Sequence, residues 1–400
     1  MRLRLPIAIV AALVVAEAAV LLMRPRGLVI PLDVAPRAYF SAAQIEKAEQ
    51  FRNGQLWLLG ARMAIELGVL VLVVARPPRA LLLPRRRKVL AGAAAAAALS
   101  VAISAATLPV RAIARERAKD VGLVTQDWTG YAADVLKSTA IGAVLAGAGG
   151  ALLIFGMRRF GRRWWAPAAA VVIAFGVVTT YLTPIVLDPL FNKFTPLPAG
   201  PTRSTVLSLA REAGVDVGQV YVMDASRRTT AANAYVNGIG HTKRVVLYDN
   251  LLKDFTPAET RLVVAHELGH AHYHDVRNGL IWLAIVALPG MWAVAVLGER
   301  FSRGFEPGPR AVPAVALSIA LVVPVITFVS NQLSRDVERR ADAFSLQLTH
   351  DPQDFIGFQR RIAVQNVADP DPPTVVRFLL GTHPSTIERI GRAERFERDG

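Results

Sequence analysis

His266-Glu267-Leu268-Gly269-His270 is the stretch of sequence around which the rest of the chain is organised. Residues four apart on an α-helix share one face, so the imidazoles of His266 and His270 can bind one metal ion. Glu267 lies about 100° further round the helix and can reach a water molecule on the open side of that ion. Neutral imidazole suits zinc, which lowers the pKa of a bound water towards ~7. The stretch therefore predicts a catalytic metal site on a helix.

The residues before this stretch predict where its helix begins. Thr256-Pro257-Ala258-Glu259 has the pattern of a capping box, with Thr256 as N-cap, Pro257 at the first helical position and Glu259 reaching back to the cap. The alternative is a helix whose histidines are solvated or paired for structural reasons, and the cap together with the later acidic residues argues against it.

Composition indicates a membrane protein. Hydrophobic residues make up 53% of the 400 residues, charged residues only 19%, and the mean hydropathy is +0.36. The absence of cysteine excludes disulfides and thiolate metal sites. A net charge of +15 would suit nucleic acid, but many arginines flank apolar stretches, where they meet anionic lipid headgroups. We therefore expect membrane lipids, and no nucleic acid, as partners.

Seven apolar stretches approach the ~20 residues that a membrane-spanning helix requires. They are Leu5–Met23, Leu56–Ala75, Val89–Val110, Val135–Met157, Trp165–Leu187, Leu280–Gly298 and Ala311–Ser330. We interpret the first as an uncleaved anchor rather than a signal peptide, because its apolar run continues past the weak cleavage pattern at Ala16 and Ala18. Arg62 and Glu66 lie one turn apart in the second stretch, where they form either an ion pair with each other or part of a polar lumen.

The segments outside these spans carry further predictions. Ala42 to Arg52 is expected to be an interfacial or soluble helix, separate from the second span, and residues 111–134 a charged loop near the membrane. Residues Asp188 to Arg277 have the composition of a soluble unit. Within this unit the expected elements are a helix at Ser204–Glu212, strands at Val220–Met223, Asn233–Asn237 and Arg244–Tyr248, and a turn at 238–241. An extended peptide could add to the edge of such a sheet and lie across the metal.

Two histidines do not complete a catalytic zinc site. Glu338 is the candidate third ligand, in a helix expected at Leu333–Leu348 that continues out of the seventh span. Asp342 lies four residues further on the same face, where a carboxylate could orient a ligand histidine. On this pattern alone, a solvated helix face of mixed charge is the commoner arrangement.

Taken together, these motifs resemble the gluzincins and, more narrowly, the type I CAAX prenyl endopeptidases, which are integral-membrane zinc metallopeptidases. The resemblance covers most of the chain and rests on the following segments in addition to the histidine motif. They are Pro189-Leu190-Phe191-Asn192-Lys193-Phe194, Asn233-Ala234-Tyr235, Lys243-Arg244-Val245-Val246-Leu247-Tyr248-Asp249, Ser334-Arg335 ahead of Glu338, and His383-Pro384 followed by Arg389.

The resemblance implies a role for each candidate site residue. One zinc ion per chain would be bound by His266, His270 and Glu338, with Glu267 as general base. The remaining catalytic residues would be Asp342 behind the metal shell, with His383 and Arg389 facing the scissile carbonyl or bracing that shell. Asn233, Ala234 and Tyr235 would bind the substrate backbone. His270 and His274 form a competing pair four residues apart, but no glutamate follows His270 directly; we interpret His272 and His274 as surface residues, while His241 and His350 have no assigned role.

The expected fold is mainly α, a seven-helix transmembrane bundle or barrel enclosing a chamber, with a small α+β zincin-type metallopeptidase domain. We divide the chain into an N-terminal membrane region (1–187), a catalytic subdomain (188–278), two further spans (279–330) and a C-terminal helical part with the third ligand (331–400). The resemblance implies a site facing the cytoplasm of a bacterial cell. The arginine-rich connections at 76–88 and 158–163 would then lie outside, against the positive-inside rule.

The expected function is zinc-dependent hydrolysis of peptide bonds in membrane-associated or lipidated, CaaX-type peptides. One alternative is a bacterial membrane metalloprotease that degrades misfolded proteins, and another is a non-catalytic membrane scaffold with a structural metal. Glu267 argues against the scaffold, because a structural site needs ligands but no base. The sequence leaves the natural substrate, the cleavage preference and the oligomeric state open.

Overall fold

The structure is a computed structural model that describes residues 4–82, 86–238 and 243–399. Within these residues, seven helical segments are long and apolar enough to cross a membrane. They are Leu5–Met23, Ala42–Ala75, Lys88–Asp120, Trp128–Arg163, Trp165–Leu190, Asp275–Phe301 and Ala311–Thr349. The prediction of a mainly helical protein with seven membrane helices and a small sheet is confirmed.

The first half of the chain is almost entirely helical. Its helices are α1 (Arg4–Met23), α2 (Ala42–Ala75), α3 (Arg79–Leu82), α4 (Lys88–Asp120), α5 (Trp128–Phe160) and α6 (Trp165–Leu182), and a π-helical turn at Thr183–Leu187 follows. The prediction of a separate helix at Ala42–Arg52 is wrong. Ser41 caps α2 by accepting a hydrogen bond from Gln44 N at 3.2 Å, and no proline interrupts the helix before its end. The predicted loop at 111–134 is also wrong, since α4 and α5 leave only residues 121–127 between them.

Small residues allow the membrane helices to pack closely. A Cβ added at Gly150 of α5 would lie 2.6 Å from the carbonyl oxygen of Gly92 in α4, so neither helix could keep its place with a larger residue there. Between α2, α4, α5, α6 and α11 lies a cavity of about 640 Å³, and Glu66 is one of its lining residues. Arg62 and Glu66, both described, form no ion pair with each other, and most of the other residues that line this cavity are apolar.

Four strands in the described residues form one small sheet in the order β1-β2-β4-β3. The strands are β1 (Phe194–Pro196), β2 (Gln219–Met223), β3 (Ala234–Asn237) and β4 (Arg244–Tyr248). β2 and β4 are parallel, whereas β1 and β3 pair antiparallel at the two edges. The sequence analysis missed β1 because three residues that include a proline show no alternation. The predicted turn at 238–241 lies largely outside the described residues.

Helices surround the sheet and return the chain to the membrane. They are α7 (Pro201–Glu212), α8 (Asp249–Asp254), α9 (Pro257–His272), α10 (Asp275–Phe301), α11 (Ala311–Thr349), α12 (Pro352–Gln365), α13 (Thr374–Leu380) and α14 (Thr386–Asp399). α11 runs unbroken from the seventh span to Glu338 and Asp342, as the sequence predicted for this helix. Val220 and Leu247 of the sheet share one buried core with Val264 and Leu268 of α9. This core fixes the metal-motif helix against the sheet.

Candidate metal centre

The helix that carries the histidine motif begins at the predicted capping box. Thr256 Oγ1 accepts a hydrogen bond from Glu259 N at 3.2 Å, and Thr256 N donates to Glu259 Oε2 at 2.8 Å. Further along α9, Gly269 lies against α11, where an added Cβ would be 3.2 Å from Phe344 Cδ1. This close approach brings Glu338 of α11 opposite the two histidines of α9.

His266, His270 and Glu338 form a cluster with the geometry of a metal site. His266 Nε2 lies 3.2 Å from His270 Nε2 and 3.2 Å from Glu338 Oε2, and His270 Nε2 lies 3.5 Å from Glu338 Oε1. Ligand atoms about 2.0–2.1 Å from a tetrahedral zinc ion stand about 3.3–3.4 Å apart. Glu338 Oε2 is buried without a hydrogen-bond donor, as expected of an atom reserved for a cation. The three side chains therefore fit a metal ion. Among the described residues, they are the group of histidine and acidic side chains whose ligand atoms lie close enough together to hold one.

The outer nitrogen of His266 faces a buried carboxylate. His266 Nδ1 lies 3.1 Å from Asp342 Oδ1, and the Asp342 side chain is fully buried. Arg389 and Arg392 of α14 hold this carboxylate: Arg389 Nε donates to Oδ2 at 3.0 Å and Arg392 Nη1 donates to Oδ2 at 3.2 Å. A carboxylate on the outer nitrogen fixes the ring orientation and makes the inner nitrogen a better ligand.

The surroundings change the proton affinity of both residues that begin the motif. Burial lowers the pKa of His266, but the nearby carboxylates of Asp342 and Glu338 outweigh that effect and raise it to about 10. A bound cation would take the place of that extra proton, because both compete for the same ring nitrogen. Burial also raises the pKa of Glu267, although positive charge on His266 and His270 opposes this rise. A glutamate with a raised pKa is suited to accept and return a proton near neutral pH.

His270 has its own orienting carboxylate, which the sequence analysis missed. His270 Nδ1 lies 2.9 Å from Asp275 Oδ2, and Arg340 of α11 bonds to the other oxygen of Asp275. The chain turns between α9 and α10 at His274, whose φ is 56°, and this left-handed turn brings Asp275 back to His270. The sequence signal for this contact was Asp275 itself, an acidic residue at the start of the helix that follows α9.

The other predicted catalytic residues come together at one cavity of about 520 Å³, which His266, Glu267, Asn233, His383 and Arg389 all line. His383 Nε2 lies 3.4 Å from Glu338 Oε2. Partial removal from water lowers the pKa of His383, although the charge of Glu338 opposes this. The guanidinium of Arg389 is bound to Asp342, the contact expected of a residue that braces the metal shell.

The three predicted substrate-binding residues lie at β3, the edge strand next to the cavity, but they differ in exposure. Asn233 is exposed and lines the cavity. Ala234 is buried in the core beneath the sheet, and Tyr235 points to the opposite face, where it packs near Met223 and Val246. Tyr248 N donates to the carbonyl oxygen of Asn233, so by the alternation of an antiparallel ladder the backbone groups of Tyr235 also face β4, and those of Ala234 face the free edge.

The remaining described histidines take no part in the cluster. His272 Nδ1 lies 2.8 Å from the carbonyl oxygen of Ala213, and its ring packs against Phe344. His272 is nevertheless exposed, as expected of a surface residue. His274 is exposed with its Nδ1 near the carbonyl oxygen of Ala271, which removes the competing pair with His270. His350 packs on Phe396, and His241 lies outside the described residues.

Comparison with known proteins assigns this chain to a family. The family model "Peptidase family M48" matches residues 196–397, the part that holds every residue of the metal cluster. The chain belongs to peptidase family M48. A second family model, "CAAX prenyl protease N-terminal, five membrane helices", matches residues 55–193. The predicted resemblance is confirmed, and the M48 protein described here is a membrane metalloprotease.

Individual relatives agree with this assignment. The uncharacterized metalloprotease YhfN of Bacillus subtilis is 31% identical over 307 residues, which are 75% of this chain and 72% of YhfN. The probable CAAX prenyl protease 1 of Schizosaccharomyces pombe is 30% identical over 268 residues, 65% of this chain and 56% of the yeast protein. The crystal structure of S. mikatae Ste24p superimposes with a TM-score of 0.76 at 19% identity, covering 98% of both chains, and this likeness shows the fold.

Proposed function

We propose that this M48 protein is a zinc-dependent endopeptidase that binds one zinc ion through His266, His270 and Glu338. The observation that carries the proposal is the triangle of ligand atoms 3.2–3.5 Å apart, with Glu267 beside it in an open cavity. When bound, zinc supplies a lowered pKa for the attacking water and a positive charge next to the scissile carbonyl.

The residues of the chain would handle the proton and the substrate. Glu267 accepts the proton of the attacking water and passes it to the nitrogen of the leaving amine, a transfer favoured by its raised pKa. A ring N–H of His383 can donate a hydrogen bond to the oxygen that becomes negative during the attack. Asp342 and Asp275 hold the two ligand histidines in place, and Arg389 acts through Asp342.

The edge of the sheet would hold the peptide. β3 pairs with β4 on one side only among the described strands, so its other edge can pair with an extended substrate backbone. The exposed side chain of Asn233, just before β3, can then bond to the peptide near the bond that is cut. Ala234 would contribute its backbone carbonyl to this pairing, whereas Tyr235, whose backbone groups face β4, would support the strand.

The proposed substrates are membrane-associated or lipidated peptides. The cavity among the membrane helices and the names of the CAAX prenyl protease relatives support this class. Degradation of misfolded membrane proteins is the competing function, to be separated by experiment. We further propose the four-part division of the chain at 1–187, 188–278, 279–330 and 331–400, in which the last part supplies the third ligand.

We propose that the site faces the cytoplasm of a bacterial cell, in line with the Bacillus relative. The chain contains no cysteine, so single cysteines report topology without background. In whole cells, an impermeant maleimide should label Arg162→Cys, at an exposed position in an arginine-rich connection, and should label the exposed Asp371→Cys only after lysis. The reverse pattern would place the site outside and agree with the positive-inside rule.

Cleavage by detergent-purified protein tests the function itself. The substrates are a farnesylated CaaX peptide, its unprenylated twin and an unfolded casein-like chain, each with the wild type, Glu267→Gln and the exposed control Glu212→Gln. We expect Glu267→Gln to retain zinc, measured by elemental analysis, and to lose at least ~100-fold in rate, while the control is unaffected. Cleavage of only the unfolded chain would indicate a protease that degrades misfolded proteins. If zinc-loaded Glu267→Gln cleaved as fast as the wild type, the assignment of Glu267 as general base would be refuted.

A further inference from the structure

One face of α12 lines the catalytic cavity, although α12 holds none of the residues assigned above. Phe355, Gln359, Ile362 and Asn366 recur at the i, i+4, i+7 and i+11 spacing of a single helical face, and all four line the cavity with His266 and Glu267. This face contacts α9 and forms part of the cavity wall.

Two amide groups on this face have unused hydrogen-bonding atoms. Gln359 is 2% exposed, and its Nε2 is buried without an acceptor among the described residues. The Oδ1 of Asn366, in the same cavity, is buried without a donor. A buried polar group left unpaired costs roughly 1–3 kcal/mol, and such groups are rare in folded proteins.

Other glutamines of the same helix have side-chain amides that donate hydrogen bonds within the protein. Gln365 Nε2 donates to the carbonyl oxygen of Thr230 at 2.7 Å, and Gln353 Nε2 donates to Glu397 Oε2 at 2.7 Å. Neither Gln353 nor Gln365 lines the catalytic cavity. The unpaired atoms are therefore found at the two amides of α12 that face the site.

Apolar side chains line the same cavity beside these amides. They are Leu251, Leu262, Val263 and Phe358, so the wall combines apolar side chains with polar groups that include an unpaired donor and an unpaired acceptor. A few polar groups in an apolar pocket are the usual arrangement for orienting a ligand. A peptide-type amide group carries the complementary pair, a carbonyl acceptor and an N–H donor.

We propose that Gln359 and Asn366 form a substrate subsite that takes an amide group of the peptide beside the bond to be cut. Gln359 Nε2 donates to the amide oxygen, and Asn366 Oδ1 accepts from the amide N–H. The amide belongs either to the substrate backbone or to a glutamine or asparagine side chain. The inference rests on the proposed function, because it identifies the cavity as the place where the peptide binds.

Peptide binding to the zinc-loaded Glu267→Gln variant tests the subsite without any need for cleavage. The probes are farnesylated peptides whose three residues after the cysteine are all leucine, or contain one glutamine at each position in turn. Gln359→Leu is compared with Gln353→Leu, the same substitution at an exposed position of the same helix. Calorimetry gives the dissociation constants, and thermal unfolding shows whether each variant is folded.

We expect Gln359→Leu to weaken binding about fivefold, since a net hydrogen bond is worth ~1 kcal/mol. The melting temperature without peptide should stay the same or rise, because an unpaired amide is replaced by an apolar side chain. Weakening for every probe assigns the amide to the backbone. Weakening confined to the probe with glutamine at one position assigns it to a side chain.

Two results would overturn the subsite. One is that Gln359→Leu and Gln353→Leu have the same dissociation constant for every probe. The other is a fall in melting temperature of several degrees, which would show that the amide stabilises the fold instead. Failure of the wild type to cleave any peptide, with binding still weakened in Gln359→Leu, would refute the proposed function and leave the subsite standing.

Discussion

The two histidines of the metal cluster are held by carboxylates in very different environments. His266 faces Asp342, whose side chain is fully buried and bound by two arginines of α14. His270 faces Asp275, which is 10% exposed and bound by the single arginine Arg340. The first arrangement joins α9, α11 and α14, whereas the second depends on a carboxylate only five residues after its histidine.

This difference indicates how the site depends on the rest of the fold. The His266 side of the cluster, meaning Asp342 and the arginines that bind it, requires α14. The segment between α1 and α2 holds α14 in turn, because Leu32 N donates to the carbonyl oxygen of Gly391 at 2.9 Å. The His270 side needs only the turn from α9 into α10 and one contact with α11. We therefore expect damage to the His266 side to affect both stability and metal affinity, and damage to the His270 side to affect mainly metal affinity.

Removing the ligand shared by both sides should have the largest effect. Glu338 lies 3.2 Å from His266 Nε2 and 3.5 Å from His270 Nε2, so Glu338→Ala opens the cluster toward both rings at once. We expect zinc affinity to fall more than ~100-fold, beyond the usual loss for an outer partner, with loss of proteolysis. Competition with a chromogenic chelator measures the affinity. Glu397→Ala, at an exposed position of α14, is the control, and retention of tight zinc by Glu338→Ala would contradict the ligand assignment.

The sequence was informative about this site where its geometry is set within one helix. The spacing of His266 and His270, and that of Glu338 and Asp342, places each pair on one face without any knowledge of the fold. Asn233, His383 and Arg389 came from the family resemblance, because their meeting at one cavity depends on how separate elements pack. Asp275 and Gln359 were missed because a left-handed turn and the packing of α12 bring them to the site, and neither shows as a periodic pattern.

The same distinction applies to the fold. The apolar spans follow from hydropathy, and β2, β3 and β4 follow from short runs of β-branched and aromatic residues. The true length of α2 was missed because a helix can continue from the membrane into water without any change in backbone pattern. β1 forms because its pairing with β2 supplies the partner that three residues cannot specify alone.

Asp342→Asn is expected to have the next largest effect. It removes the charge that Arg389 and Arg392 share in a fully buried position, and breaking a buried ion pair costs roughly 3–5 kcal/mol. Zinc affinity should fall about 100-fold, because His266 loses its orienting carboxylate. Chemical denaturation and chelator competition measure the two losses. Asp336→Asn, on the same helix and paired with Arg339, is the matched control, and equal effects of both variants would remove the special role of Asp342.

Asp275→Asn provides the direct comparison with Asp342→Asn. Arg340 keeps its place over the Tyr273 ring, 4.1 Å from the centroid, so the loss of stability should stay near ~1 kcal/mol or below. Zinc affinity should fall about tenfold, because His270 still loses the partner of its outer nitrogen. The same two measurements apply. A stability loss as large as that of Asp342→Asn would show that the two sides of the cluster are equally embedded in the fold.

The smallest effect on the metal should come from Gly391→Ala, which acts on the His266 side from outside. Gly391 lies between Arg389 and Arg392 in the chain, and a Cβ at this position would collide with the carbonyl oxygen of Leu32. Separating α14 from this segment should cost about 1–3 kcal/mol and lower the melting temperature by a few degrees.

Zinc affinity of Gly391→Ala should fall only about threefold, ~0.7 kcal/mol, because Arg389 can keep its bonds to Asp342 while the helix shifts slightly. Gly357→Ala in α12 is the matched control, since an added Cβ there meets nothing within 4 Å. If Gly391→Ala left the melting temperature equal to that of the control, the segment between α1 and α2 would not support α14. If zinc binding fell as far as in Asp342→Asn, this segment would be as important to the metal site as the carboxylate itself.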